Sequence, residues 1–554
     1  MMDAEERQSG GVGESTTGQP DAEQKRVSQS DPPRLRKNVG TTIVARVLYM
    51  ITRVGIPPFV LARIGLEAYG LWTTIFLLVS YLGLSTLGIS NVYIKYVAEY
   101  HARREYDKAN TLLSTGLSIT VPLCSALYLA IWLGWGGVAK MLHLPASHAA
   151  DGKEAVLIVV GIFLASISLN VFSDTLNGMQ EIAANQYFWT AGFLAEFVLI
   201  VVLVGGGRGI RGLAEAYLAR TVIEDGLKMW WAWRKLPWLR LSPRLARRSA
   251  LKTVIHFGGL VQFQSLLTTM INSIERMLAL LLVNVSAAGL MDFAKKWPQS
   301  FSSIPMAFFA AFLPAASHLE ASSEAESKQK NLGEFYVRGA RYSNLCTAYF
   351  CSMMAMWTYP ILHVWLGARM PMPDVLTKLF FAFSVSMQFH MLTGPGTSIL
   401  RGMGMVWEEF YYSIPNLIFL AVTVPLSYLY FHSWTTLGIG VAVAAATVCS
   451  SCVLMARVIF VLRVKAGDYW KQVLLPGCVP YLSAALLAGP VWWATGRLGR
   501  WTGAGVVLAT GLAHGAMILA LLYGSALNAR EKQQVLGIPR LASRWLQSTR
   551  ATAD

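Results

Sequence analysis

Long apolar runs, separated by short polar and basic segments, fill the chain from residue 38 to residue 525. They lie near 39–62, 68–93, 111–134, 154–176, 185–206 and 210–232, then near 255–283, 287–316, 336–366, 375–400, 409–431 and 434–462, and last near 472–494 and 502–524. Each run is ~20–30 residues, enough for a helix to cross ~30 Å of hydrocarbon with some tilt. The pattern predicts an all-α polytopic membrane protein with about 14 transmembrane helices. Residues 1–37 are polar and lack an apolar centre, so they read as a disordered cytoplasmic N-terminal tail rather than a signal peptide. Residues 525–554 read as a cytoplasmic C-terminal tail.

Weak internal matches organise the runs. Ile51-Thr52-Arg53 recurs as Ile274-Glu275-Arg276, Gly70-Leu71 as Gly289-Leu290, and Leu176, Gly178 and Met179 as Leu400, Gly402 and Met403. The near-constant offset predicts a six-helix N-terminal lobe over 38–232 and a six-helix C-terminal lobe over 255–463. A basic cytoplasmic linker, 233–254, joins them, and two extra helices follow in 472–524. Lobes with an even number of spans share one orientation and are related by an axis along the membrane normal, with substrate bound between them.

Composition agrees: 54% of the 554 residues are apolar and only 14% charged, against roughly 25% charged in a soluble domain. The formal net charge of +16 is distributed as topology rather than as a phosphate-binding face, so nucleic acid is not an expected partner. Loops expected inside carry Arg103, Arg104 and Lys108, then Arg234, Arg240, Arg244 and Arg247, then Arg463, Lys465 and Lys471. Loops expected outside hold sparser cations such as Arg63, Lys140 and Lys153. This alternation places both termini in the cytoplasm. Cys449 and Cys452 have a redox-motif spacing but sit in an apolar run, which favours buried structural thiols.

Ionisable residues inside spans are the candidates for function. Arg46 and Arg53 are seven apart, hence on one face of the first helix, and Pro57 and Pro58 should kink or break that helix just after them. Two guanidinium groups suit a cationic wall for an anionic, phosphate-bearing substrate, though pairing with an acid elsewhere would equally hold them. Arg276, the repeat partner of Arg53, is expected to face it across a cavity, and Lys295 is a further candidate for that wall. Glu275, Asp292 and Glu196 are candidates for ion coupling. Asp292 has a structural alternative in Lys295 or Lys296 one turn away, and Arg220 is expected to pair with Glu224. Gly394-Pro395-Gly396 should break the tenth span, as a hinge or as a packing kink. No P-loop, dinucleotide fingerprint, zinc signature or nucleophile elbow is present, and no cofactor, metal or catalytic residue is expected.

Asn38, Gly65, Glu67, Tyr69-Gly70-Leu71-Trp72, Leu87-Gly88, Tyr96-Val97-Ala98-Glu99-Tyr100 and Leu176-Asn177-Gly178-Met179-Gln180 together resemble the polysaccharide-export flippases. These form the O-antigen and exopolysaccharide branch of the multidrug/oligosaccharidyl-lipid/polysaccharide exporter superfamily. The resemblance covers most of residues 38–525; the long polar N-terminal tail departs from it. It implies an oligosaccharide on undecaprenyl diphosphate, moved from the cytoplasmic to the periplasmic leaflet of the bacterial inner membrane by alternating access. A polysaccharide polymerase is the candidate partner protein. The family's cationic cavity maps onto Arg46, Arg53 and Arg276. Three alternatives stay open: a flippase for the lipid-linked peptidoglycan precursor, a drug/cation antiporter, and a non-transporting scaffold of a polysaccharide synthase complex.

Overall fold

The computed structural model describes residues 32–83, 88–144, 146–247, 266–322 and 325–525. The expected C-terminal tail, most of the N-terminal one, and the junction of the linker with the seventh span lie outside the described residues. Every long described element is helical: α1 (Pro32–Leu82), α2 (Ile89–Ala102), α3 (Tyr106–Leu133), α4 (Ala149–Gly178), α5 (Ile182–Gly205) and α6 (Gly209–Lys235). Then come α7 (266–282), α8 (Val285–Ser322), α9 (Ala325–Met356), α10 (Thr358–Leu366), α11 (Pro373–Leu392) and α12 (Gly394–Gly402). Four more complete the chain: α13 (Phe410–Phe431), α14 (Thr436–Val461), α15 (Leu475–Arg497) and α16 (Arg500–Ser525). Among the described residues, nine helices are long and apolar enough to cross a membrane, or ten with α9 and α10 taken as one bent span.

The first two expected spans form one helix, α1, with a kink between them. Its non-helical residue is Gly65, at φ 81 and ψ 173, a conformation essentially restricted to glycine. The expected break at Pro57 and Pro58 does not form: the helix continues through both prolines. Pro58 has no amide proton to give the Val54 carbonyl, and the indole of Trp365 donates to that oxygen instead, at 2.7 Å. A partner from another helix thus removes the reason for a break.

Gly394-Pro395-Gly396 likewise gives a mild interruption. Thr393 keeps a right-handed helical conformation (φ −76, ψ −24), and Pro373–Gly402 is one membrane-spanning run. A Cβ at Gly394 would collide with the Phe309 ring, and one at Gly396 would lie 2.9 Å from Val458. Both glycines are sites of close helix approach. The sharp bend lies elsewhere: α9 and α10 meet at 79° beside the fully buried Trp357, whose indole donates to the Ala484 carbonyl at 2.8 Å.

The internal repeat is visible in backbone geometry. α4 ends at Gly178, Gln180 turns left-handed (φ 61), and the Glu181 amide returns to the Leu176 carbonyl at 2.9 Å. In the second half α12 ends at Gly402, Gly404 turns left-handed (φ 76), and the Met405 amide returns to the Leu400 carbonyl at 2.8 Å. The matched glycines 70 and 289 also meet. A Cβ on Gly289 would lie 2.9 Å from the Gly70 Cα, and one on Gly70 would collide with the Val285 carbonyl. α1 and α8 therefore pack backbone against backbone, as small residues allow inside a membrane.

Apolar side chains lie on both sides of the helices, since lipid is as apolar as the core. Leu486, Phe460 and Trp501 point outward, while pairs of buried polar side chains cross between helices. The Asn416 amide donates to Ser450 at 3.0 Å, and His514 sits between Ser352 (3.1 Å) and Ser483 (2.9 Å), tying α16 to α9 and α15. In hydrocarbon each such group needs a protein partner.

Candidate functional site

Six charged residues of the spans gather where α1, α5, α6, α7 and α8 converge. They line a cavity of about 370 Å³. α6 is the most polar of these helices, and its charges are tolerable only because they face the bundle interior.

On the N-terminal side Glu196 is the hub. One of its carboxylate oxygens accepts from Arg53 at 3.1 Å and from Arg220 at 3.3 Å. Glu196 is 2% exposed, and its second oxygen has no hydrogen-bond partner. Arg220 also lies 3.6 Å from Glu224, which takes Lys228 at 2.5 Å. The expected Arg220–Glu224 pair is present, as part of a longer chain of alternating charge. The Tyr49 ring lies 5.0 Å from the Arg53 guanidinium carbon and adds a cation–π contact.

On the C-terminal side Asp292 is the hub. It accepts from Lys296 at 2.8 Å and from the Tyr69 hydroxyl at 2.6 Å, and lies 3.7 Å from Arg276. The expected local pairing of Asp292 is realised with Lys296, one turn on. Tyr69 belongs to α1, so this bond crosses between the two halves of the chain.

Arg53 and Arg276 line the same cavity, as the repeat suggested. Lys295 and Glu275 do not. They pair with each other at 2.8 Å, beside a separate pocket of about 50 Å³ inside the C-terminal half, next to His390 and Tyr412. The reason is helical geometry: consecutive residues point ~100° apart. Of Lys295 and Lys296 one faces the cavity, and of Glu275 and Arg276 likewise one. Pro57 lines the cavity; the side chain of Arg46 lies outside the described residues. Arg220, Lys296 and Tyr69 were missed as cavity residues. Each had a local or motif-level reading that hid its contribution: the i, i+4 partner of Arg220 and of Lys296, and the Tyr69-Gly70-Leu71-Trp72 motif.

Four cations (Arg53, Arg220, Arg276 and Lys296) thus face two carboxylates (Glu196 and Asp292) in the cavity. The wall carries two more positive than negative side chains in a setting of low dielectric. Among the described residues no cluster of three or more His, Cys, Asp or Glu could hold a metal.

No protein-family model matches the chain. An uncharacterized membrane protein, EpsK of Bacillus subtilis (strain 168), is 23% identical over 475 residues, covering 82% of this chain and 88% of that protein. The lipid II flippase MurJ, in an inward closed conformation, superposes with a TM-score of 0.62 at 12% identity, covering 89% of this chain and 99% of MurJ. An inward-facing multidrug resistance MATE transporter of the MOP superfamily superposes with a TM-score of 0.60 at 13% identity, over 77% of this chain and 96% of that one. A MOP-superfamily transporter from Pyrococcus furiosus gives 0.55 at 13% identity, over 78% of this chain and 95% of that one. The chain is a polytopic membrane protein with the fold of the MOP-superfamily transporters.

Proposed function

We propose that this protein is a flippase that moves an undecaprenyl-diphosphate-linked oligosaccharide from the cytoplasmic to the periplasmic leaflet of a bacterial inner membrane, with both termini cytoplasmic. One observation carries the reading: the cavity between the two halves holds four cations against two carboxylates. A diphosphate needs such a wall, and its lipid tail can stay in the bilayer while the head group crosses. A cationic drug would need the opposite balance.

The pairings suggest how binding would drive the change of state. Without substrate, Glu196 and Asp292 neutralise the cations around them. A diphosphate entering the cavity competes for Arg53 and Arg276, whose planar forks match its oxygens. Asp292, relieved of Arg276, is left to Lys296 and Tyr69, and the bond that joins α8 to α1 is rebalanced. Glu196, left with Arg220 and holding an oxygen without a hydrogen-bond partner, would then take a coupling cation or proton for the return step. Substrate thereby gains differential contacts in the two states, which a population shift requires.

The test uses a deletion strain of the source organism. Lipid-linked repeat units should accumulate on the cytoplasmic leaflet while surface polysaccharide is lost. Wild type should restore export, and Arg53→Ala should lower it at least tenfold. Normal lipid-linked pools and normal surface polysaccharide would sink the flippase reading. Full rescue by Arg53→Ala would favour a scaffold role. A flippase for the lipid-linked peptidoglycan precursor is the second reading, supported by the extent of the MurJ superposition. Rescue of a strain depleted of its own precursor flippase would select it.

A further inference from the structure

A second basic groove lies outside the central cavity. It is about 710 Å³ and runs between the first half of α9 and the junction that links α14 to the next span. Lys330, Arg338, Arg341, Arg463 and Lys465 line it, against Glu334 and Asp468. Lys330, Arg338, Arg463 and Lys465 are exposed and, among the described residues, make no ion pair.

The groove floor is rigid. Tyr336 and Tyr469 stack with ring centres 5.5 Å apart and are joined through their hydroxyls at 3.3 Å. Gln329 donates to the Val461 carbonyl at 2.6 Å, and Asn344 to the Val473 carbonyl at 2.7 Å. Two backbone irregularities frame the groove. Arg463 stands in the left-handed region at φ 50, and Trp470–Leu474 is a turn of π-helix. Glycine fills the first conformation more cheaply, and turns of the second kind gather at functional sites.

The position decides what that is. One membrane-spanning helix ends at Val461 and the next begins at Ala466, so the groove lies at the membrane boundary. Phe460 and Trp470, its neighbours in sequence, are 73% and 59% exposed, an apolar surface suited to acyl chains. Basic pockets between helices at this depth take the phosphates of anionic lipids.

We propose that this groove is a binding site for the phosphodiester head group of an anionic phospholipid, which clamps α9 to the junction before α15. The site is separate from the transport cavity and does not depend on what that cavity carries.

The experiment is thermal unfolding of the purified full-length protein in neutral detergent, with phosphatidylglycerol, phosphatidylcholine or inorganic phosphate added. Phosphatidylglycerol should raise the Tm, and the other two should not. Arg338→Gln with Lys465→Gln should shift the lipid titration to higher concentration, by about fivefold for each charge removed. Lys378→Gln, an exposed cation on another face, should leave it unchanged. Arg463→Gly separates binding from folding: it relieves the left-handed strain, so the lipid-free Tm should hold or rise while the lipid response weakens. An unchanged lipid response in Arg463→Gly and in the double variant would overturn the proposal. A response to inorganic phosphate equal to that to phosphatidylglycerol would overturn the lipid as its occupant.

Discussion

Asp292 shows how a single side chain can serve as the acceptor for three helices: Lys296 on its own helix, Arg276 on α7 and Tyr69 on α1. Removing it strands two half-buried cations at once. Asp292→Ala should therefore destabilise the protein by about 3–5 kcal/mol. Lys296→Ala leaves the carboxylate with Arg276 and Tyr69 and should cost about 1–2 kcal/mol. Thermal unfolding in detergent measures both, and equal losses would contradict a shared acceptor. At this scale the sequence singled out four of the six charged residues that line the cavity. Arg53, Arg276, Glu196 and Asp292 were legible because charge inside an apolar run stands out. Lys295 was chosen over Lys296 because nothing in a linear pattern says which of two adjacent lysines faces a cavity. That depends on how α8 is rotated against α1, which the contact of Gly289 with Gly70 fixes.

At the level of helices, the prolines and glycines did something other than their local propensities suggest. Pro58 leaves the Val54 carbonyl without its amide partner, and Trp365 supplies a donor from 311 residues away in sequence. A double-mutant cycle tests this. Trp365→Phe alone should cost about 1–3 kcal/mol by orphaning a buried carbonyl. In a Pro58→Ala background the helix regains its own amide donor, and the same change should cost measurably less. Additive losses would refute the exchange of donors. Gly70→Ala should force α1 and α8 apart, because its methyl would meet the Val285 carbonyl, and the yield of folded protein should fall sharply. Gly55→Ala, with nothing within 4 Å, should be neutral or stabilising by up to ~1 kcal/mol. The bend beside Trp357 has a sequence signal that went unread: Pro360, in the first turn of α10, has no amide proton for the Met356 carbonyl, and the Trp492 indole donates to that oxygen at 3.1 Å. The packed Trp357 indole and its hydrogen bond to α15 hold it.

For the whole molecule, the alternation of basic loops predicts sidedness. In a cysteine-free variant, Arg244→Cys should react with an impermeant thiol reagent only after the cells are opened. Lys140→Cys should react in intact cells. The reverse labelling would invert the topology and with it the direction proposed for transport. The change of state proposed for transport also has a physical constraint. The Gly70–Gly289 contact and the Tyr69–Asp292 bond lie on the same pair of helices, so any change at the cavity acts directly on the surface about which the halves would move.

The sequence by itself determined that the chain is an all-helical membrane protein, where its apolar runs lie, that its halves repeat, and that charge is buried among them. These follow from local physics: the thickness of hydrocarbon, the cost of polar groups in it, and the persistence of a repeat at fixed spacing. Tertiary structure decided which charges share a cavity, and why α1 passes two prolines and bends at Gly65. Each of these depends on a partner distant in the chain: Trp365 for Val54, Tyr69 for Asp292, and Arg220 and Arg53 for Glu196. In the apolar interior an unpaired donor or acceptor is too costly to leave, so the packing that supplies the partner decides the outcome.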